Sequence, residues 1–124
     1  MKKLSFTLIA IFILQSCSPF EDLTITRIKE GSFNACNEAT SGELANSFFS
    51  NPKWEAIVAT DGLSYVNLTG GMTFDNAPVD ALVQFTAPIQ DYADFEINAF
   101  ELNEIPQNAF MITGLVNVMC EEGQ

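Results

Sequence analysis

The sequence predicts an α+β fold: a kinked N-terminal helix, a three-stranded antiparallel meander and a C-terminal helix, stacked as a two-layer sandwich. Three observations predict it. A helix-start signal stands at Thr40-Ser41-Gly42-Glu43. From Tyr65 to Ala99 the chain alternates with a period of two. Helical spacing then returns, because Ile112, Leu115, Val116, Met119 and Cys120 fall at i, i+3, i+4, i+7 and i+8.

The first helix starts from a capping box. Thr40 accepts from the backbone of the first turn and Glu43 reaches back to the cap. Leu44, Ala45, Phe48 and Phe49 follow on one apolar face. Asn51-Pro52 interrupts, since a residue before proline avoids helical backbone angles. Pro52 suits the first position of a new turn with Asn51 as its cap. Trp54, Ile57 and Val58 then stand at i, i+3 and i+4, which predicts a second short helix ending before Asp61-Gly62. Trp54 is read there as a core residue, with an interface anchor as the alternative.

Three strands come next. Tyr65, Asn67 and Thr69 alternate with Val66 and Leu68. Gly70-Gly71 reads as a bulge within one long strand. Asp75-Asn76-Ala77-Pro78 is the better turn. Val79, Ala81, Val83 and Phe85 form the next alternating face, and Pro88 to Ala93 a polar loop. Phe95, Ile97 and Ala99 continue in a third strand, where a parity switch at Phe100 and Leu102 points to another bulge or to burial on both sides. Pro106 opens the last helix, whose apolar stripe faces the sheet; Gly114 weakens it by about 1 kcal/mol relative to Ala. The helices cover one sheet face. The other face carries Tyr65, Asn67, Thr69, Asp80, Leu82, Gln84, Thr86, Glu96 and Asn98, and is the natural binding surface. Its candidate contact residues are Tyr65, Asn67, Thr69, Gln84 and Glu96. This layout resembles the helices-then-strands order of BamE-type outer-membrane lipoproteins, from which the C-terminal helix departs.

The N-terminus has a different character. Lys2-Lys3 precedes an uncharged run from Leu4 to Leu14. A bilayer-spanning helix needs about 20 apolar residues, whereas the core of a secretory signal takes roughly 7–15. Leu14-Gln15-Ser16-Cys17 then resembles the lipobox of bacterial lipoproteins: an aliphatic residue, a small residue and the cysteine match, while Gln15 is less usual in its place. The resemblance implies cleavage before Cys17, with a diacylglycerol on the thiol and an acyl chain, such as palmitate, on the new amine. More than one chain gives stable anchoring. Ser18 after the cysteine resembles the enterobacterial outer-membrane sorting pattern, and Glu21-Asp22 resembles surface-export signals of some Bacteroidetes lipoproteins. The expected organisation is a cleaved signal over 1–16, a lipidated N-terminus and tether over 17–32, and one domain over 33–124. Within the tether, Leu23 to Ile28 reads as a short strand by alternation or as an extended leader. The expected location is the bacterial envelope, in the outer membrane, facing the periplasm or the cell surface.

Charge narrows the partners. The whole chain carries −11 at neutral pH, with five basic residues and sixteen acids. Loss of Lys2 and Lys3 leaves Arg27, Lys29 and Lys53 against all sixteen acids, about −13. No basic stripe for nucleic acid can be drawn from three cations. The acidity serves solubility or a basic protein partner. With Cys17 acylated, Cys36 and Cys120 remain, and two thiols in an oxidising envelope read as one disulfide, with two separate buried thiols as the alternative.

Chemistry is sparse. There is no histidine, which removes Ser-His-Asp and Cys-His catalysis and most zinc sites. No glycine-rich phosphate loop appears. Asp91, Asp94 and Glu96 do not match a calcium loop and read as a solvated stretch. No metal or cofactor is expected. The expected function is non-enzymatic: a lipoprotein whose acidic domain binds another macromolecule, as an inhibitor, an immunity protein or an assembly accessory. The alternatives are a carrier of an apolar ligand between sheet and helices, or a carboxylate-dependent hydrolase.

Overall fold

A computed structural model describes residues 19–86 and 95–123. Among these described residues, three helices and five strands run in the order α1 (Pro19–Glu30), α2 (Ser41–Phe48), β1 (Ser50–Val58), β2 (Ser64–Phe74), β3 (Ala77–Thr86), β4 (Ile97–Leu102), β5 (Ile105–Pro106) and α3 (Ala109–Glu122). The strands form one antiparallel sheet in chain order, β1 to β5. The class is therefore α+β, with a five-stranded meander in place of three strands. The cleavage site, Cys17 and the loop from Pro88 to Ala93 lie outside the described residues.

The core forms between the helices and one sheet face. Val66, Leu68, Val83, Phe85, Phe100 and Leu102 meet Ile28, Leu44, Ala45, Leu115 and Met119, all buried. Phe85 is the centre of an aromatic group, stacked on Trp54 at 5.8 Å and meeting Phe95 edge-on at 5.7 Å between ring centroids. Such pairs add about 0.5–1.5 kcal/mol beyond the area they bury.

The expected cap of α2 forms. Glu43 N–H donates to Thr40 Oγ1 at 3.1 Å, and Thr40 N–H donates to Glu43 Oε1 at 2.9 Å. The helix then stops at Phe49, whose backbone is extended. The next segment departs from expectation: residues 50–58 are a strand, not a second helix. Trp54 pairs with Leu68 and Ala56 with Val66, facing the core, while Lys53, Glu55 and Ile57 face the other way. The match of Trp54, Ile57 and Val58 to helical spacing spans three residues only. The same stretch also alternates, and Lys53 to Val58 pair in register with β2.

The segment before the domain departs from expectation too. Residues 19–30 are helical rather than extended. Thr24 and Ile28, one turn apart, are buried. Arg27 and Lys29 occupy the last turn, where cations suit the helix dipole. Ser41 Oγ donates to the carbonyl of Ile28, and Ser41 N–H donates to that of Gly31 at 2.7 Å, so the end of α1 is clasped to the start of α2.

The turns and bulges explain the sheet register. Asp75 and Asn76 have φ of 55° and 65°, and Phe74 pairs with Ala77. That is a two-residue hairpin turn of the primed kind, which Asp and Asn tolerate. Asn103 and Glu104 repeat it, with φ of 50° and 70°, and add the short β5. Gly70-Gly71 does lie inside one continuous strand, but the irregularity opposite it belongs to β1. Ser50 pairs with Gly71 and Lys53 with Thr69, so Asn51 and Pro52 take up the slack, with Asn51 at φ 51°. A Cβ on Gly70 would stand 2.8 Å from Phe49 Cβ, so only glycine lets the α2–β1 junction cross there. The parity switch in β4 is a bulge: Ile97 pairs with Phe85 and Ala99 with Gln84, leaving Asn98 as the extra residue.

Cys36 and Cys120 are joined, with Cα atoms 5.8 Å apart. The bond ties the loop after α1 to the last turns of α3.

Candidate functional site: an open sheet face and an apolar groove

The face opposite the core carries four of the five expected contact residues. Tyr65, Asn67 and Thr69 sit on β2, and Gln84 sits opposite Asn67 on β3. Gln84 Nε2 donates to Asn67 Oδ1 at 3.0 Å, and Asn98 Nδ2 donates to Gln84 Oε1 at 2.8 Å. Three side-chain amides on β2, β3 and β4 thus form one row across the sheet. Because Gln84 uses both of its ends, the row presents an amide donor at Asn67 and a carbonyl acceptor at Asn98. Its polarity is therefore directional.

Other positions frame this row. Tyr65 is half-buried, and its hydroxyl lies 3.5 Å from Asp61 Oδ2. Glu55 stands opposite Asn67 on β1, and Glu101 stands opposite Leu82. Beside the glycine pair a depression of about 450 Å³ is lined by Lys53, Thr69, Asp80, Leu82 and Glu101, among others. Glu96, the fifth expected residue, lies just outside β4 at the margin of the face. Its backbone N–H donates to Thr86 Oγ1 at 3.1 Å, and its carbonyl accepts from Thr86 N–H at 2.9 Å. Asp91 and Asp94 lie outside the described residues.

The molecule has a second candidate surface that the sequence pattern does not single out. At the far end of the sheet a groove of about 430 Å³ opens between α3, the β2–β3 hairpin and Phe48. Met72, Phe74, Phe110, Met111 and Val118 line it. Phe110 is 83% exposed, Phe74 42% and Val118 38%. The helix α3 therefore has two apolar stripes. One is the expected stripe toward the sheet, with Leu115, Met119 and Cys120 buried. The other is Phe110, Gly114 and Val118, at i, i+4 and i+8. The signal that could have found it is the width of apolar surface on this helix, more than the single arc that a surface helix buries.

Among the described residues, no three His, Cys, Asp or Glu side chains gather as a metal site. Among them, too, no helix is long and apolar enough to cross a membrane. No family profile, curated protein or solved structure matches this chain.

Proposed function

We propose that this chain is a lipid-anchored, non-enzymatic protein of the bacterial envelope whose domain holds another macromolecule through the open sheet face. The observation that carries the reading is the amide row Asn67–Gln84–Asn98, built on three adjacent strands and facing away from the core. A row of rigid, mutually bonded polar groups costs little to order when a partner arrives. Glu55, Asp80 and Glu101 on the same face outnumber Lys53, which favours a basic partner surface. The absence of histidine from the chain supports a binding role over catalysis by the common acyl-transfer machineries. The lipobox resemblance at Leu14-Gln15-Ser16-Cys17 supports anchoring through Cys17, in the outer membrane, with the domain held near the bilayer.

Two experiments test this. Cys17→Ala should move the protein out of the membrane fraction, and retention there would end the anchoring reading. Photoreactive side chains placed at Thr69 and Glu55 in the native envelope should capture one discrete partner. The captured complex should weaken as salt rises, since charge pairing at a rim is screened. Capture that is unchanged by salt and by Gln84→Ala would remove the open face from consideration.

A further inference from the structure

The groove beside α3 is a separate surface from the open face, and it carries its own marks of a partner. Phe110, Gly114 and Val118 form a ridge of i±4 spacing along the outside of α3. Such ridges are what one helix offers another when two helices pack. Gly114 is the informative residue. It stands inside a helix of 14 residues, where glycine is the poorest choice short of proline. Its φ is not in the left-handed region, and a Cβ built on it would meet nothing within 4 Å among the described residues. Among the described residues, neither a turn nor a close internal approach accounts for it. Gly70, by contrast, is required by Phe49, and Gly123 is crowded by Leu44. The space that a side chain at Gly114 would fill opens into the groove. Glycine there lets a ligand backbone or bulky side chain come close to the helix.

Charge selects the occupant. Among the described residues, the charged side chain lining the groove is Glu122, and Asp75 stands next to Phe74 at the hairpin tip. Among the described residues, no Lys or Arg lines it. An acyl chain with an anionic head would meet Glu122 and the net charge of −11. A second copy of the chain would bring the same negative charge against itself. A helix with apolar anchors and a basic polar face meets neither obstacle and gains from both features. Met72 and Met111 add side chains that re-pack easily around such anchors. We infer that the groove between α3 and the β2–β3 hairpin receives a basic amphipathic helix of a partner protein, laid against Phe110, Gly114 and Val118.

The test uses the full chain, purified from a bacterial envelope into phosphatidylcholine nanodiscs, with a photoreactive phenylalanine analogue at Phe110. Three synthetic probes are compared: a Leu/Lys peptide with Leu at i, i+3, i+4 and i+7, its scrambled sequence, and the matching Leu/Glu peptide. The ordered basic probe should crosslink saturably, and the other two roughly tenfold less or worse. Gly114→Leu, which fills the groove while improving helix propensity, should cut the yield roughly tenfold, the scale of blocking one buried anchor. Val118→Glu, at a partly exposed position, should do the same by a different chemistry. Glu122→Lys should lower it by about two- to fivefold, the size of a rim charge effect. Equal crosslinking of the scrambled probe would overturn the inference. So would indifference to both Gly114→Leu and Val118→Glu, or a crosslink that goes to lipid or to a second copy with the probe present.

Discussion

The open sheet face and the α3 groove are built in opposite ways. The face is polar, internally bonded and drawn from neighbouring strands: Asn67, Gln84 and Asn98 stand side by side because β2, β3 and β4 do. The groove is apolar and drawn from distant parts of the chain, with Phe48, Met72 and Phe110 brought together only by packing. The face should therefore survive any change that leaves the sheet intact. The groove should depend on whatever holds α3 in place. A surface made within one sheet inherits that sheet's stability, whereas one made between elements inherits the weakest of its supports.

The largest test of this contrast is the disulfide. It closes a loop with a sequence separation of 84 residues, and the chain-entropy model assigns such a closure about 4–5 kcal/mol. The paired substitution of Cys36 and Cys120 by Ala should lower urea-unfolding stability by that order. In hydrogen exchange the α3 amides should lose protection before those of β2 and β3. Simultaneous loss in both regions would show that the groove and the face rise and fall together. Next in size is Gln84→Ala. It removes two side-chain hydrogen bonds, each with a net value of about 0.5–1.5 kcal/mol. The expected loss is about 1–2 kcal/mol, with chemical-shift changes confined to β2, β3 and β4. Changes spreading to Phe110 or Val118 would break the separation.

Smaller still, Gly114→Ala should stabilise the protein by up to about 1 kcal/mol, because the new methyl meets open space and the helix propensity improves. A destabilised variant would mean that something within the chain occupies that space. Phe110→Ser should have the least effect, within about 0.5 kcal/mol, as expected for a side chain 83% exposed. A large loss of melting temperature would place Phe110 in the core rather than on a docking surface.

Legibility tracks the range of the physics. The cap at Thr40 is readable because both of its hydrogen bonds close within three residues. The turn at Asp75-Asn76 is readable because two adjacent residues supply its backbone angles. The open face is readable because strand alternation assigns each side chain to a side once the strand is recognised. Residues 52–58 mislead because a short apolar stretch fits either period, and the choice depends on a separate partner strand, β2. The helix α1 misleads for a related reason. Thr24 and Ile28 satisfy a helical period and an alternating one alike, and what decides between them is the core that receives Ile28. The second stripe on α3 escapes notice because an extra apolar residue carries no local mark of facing solvent.

The sequence by itself determined the α+β class, the cap at Thr40, the turn at Asp75-Asn76 and the polar set on the open face, and with Cys17 set aside it favoured pairing Cys36 with Cys120 over two separate thiols. Each rests on interactions between near neighbours, on a simple period or on counting thiols. Only the tertiary structure decided that residues 50–58 form the outer strand, that the bulge opposite Gly70-Gly71 lies in β1, and that Phe110, Gly114 and Val118 line a groove. These are outcomes of which distant surfaces meet. A residue's own neighbours in the chain do not record what will be packed against it.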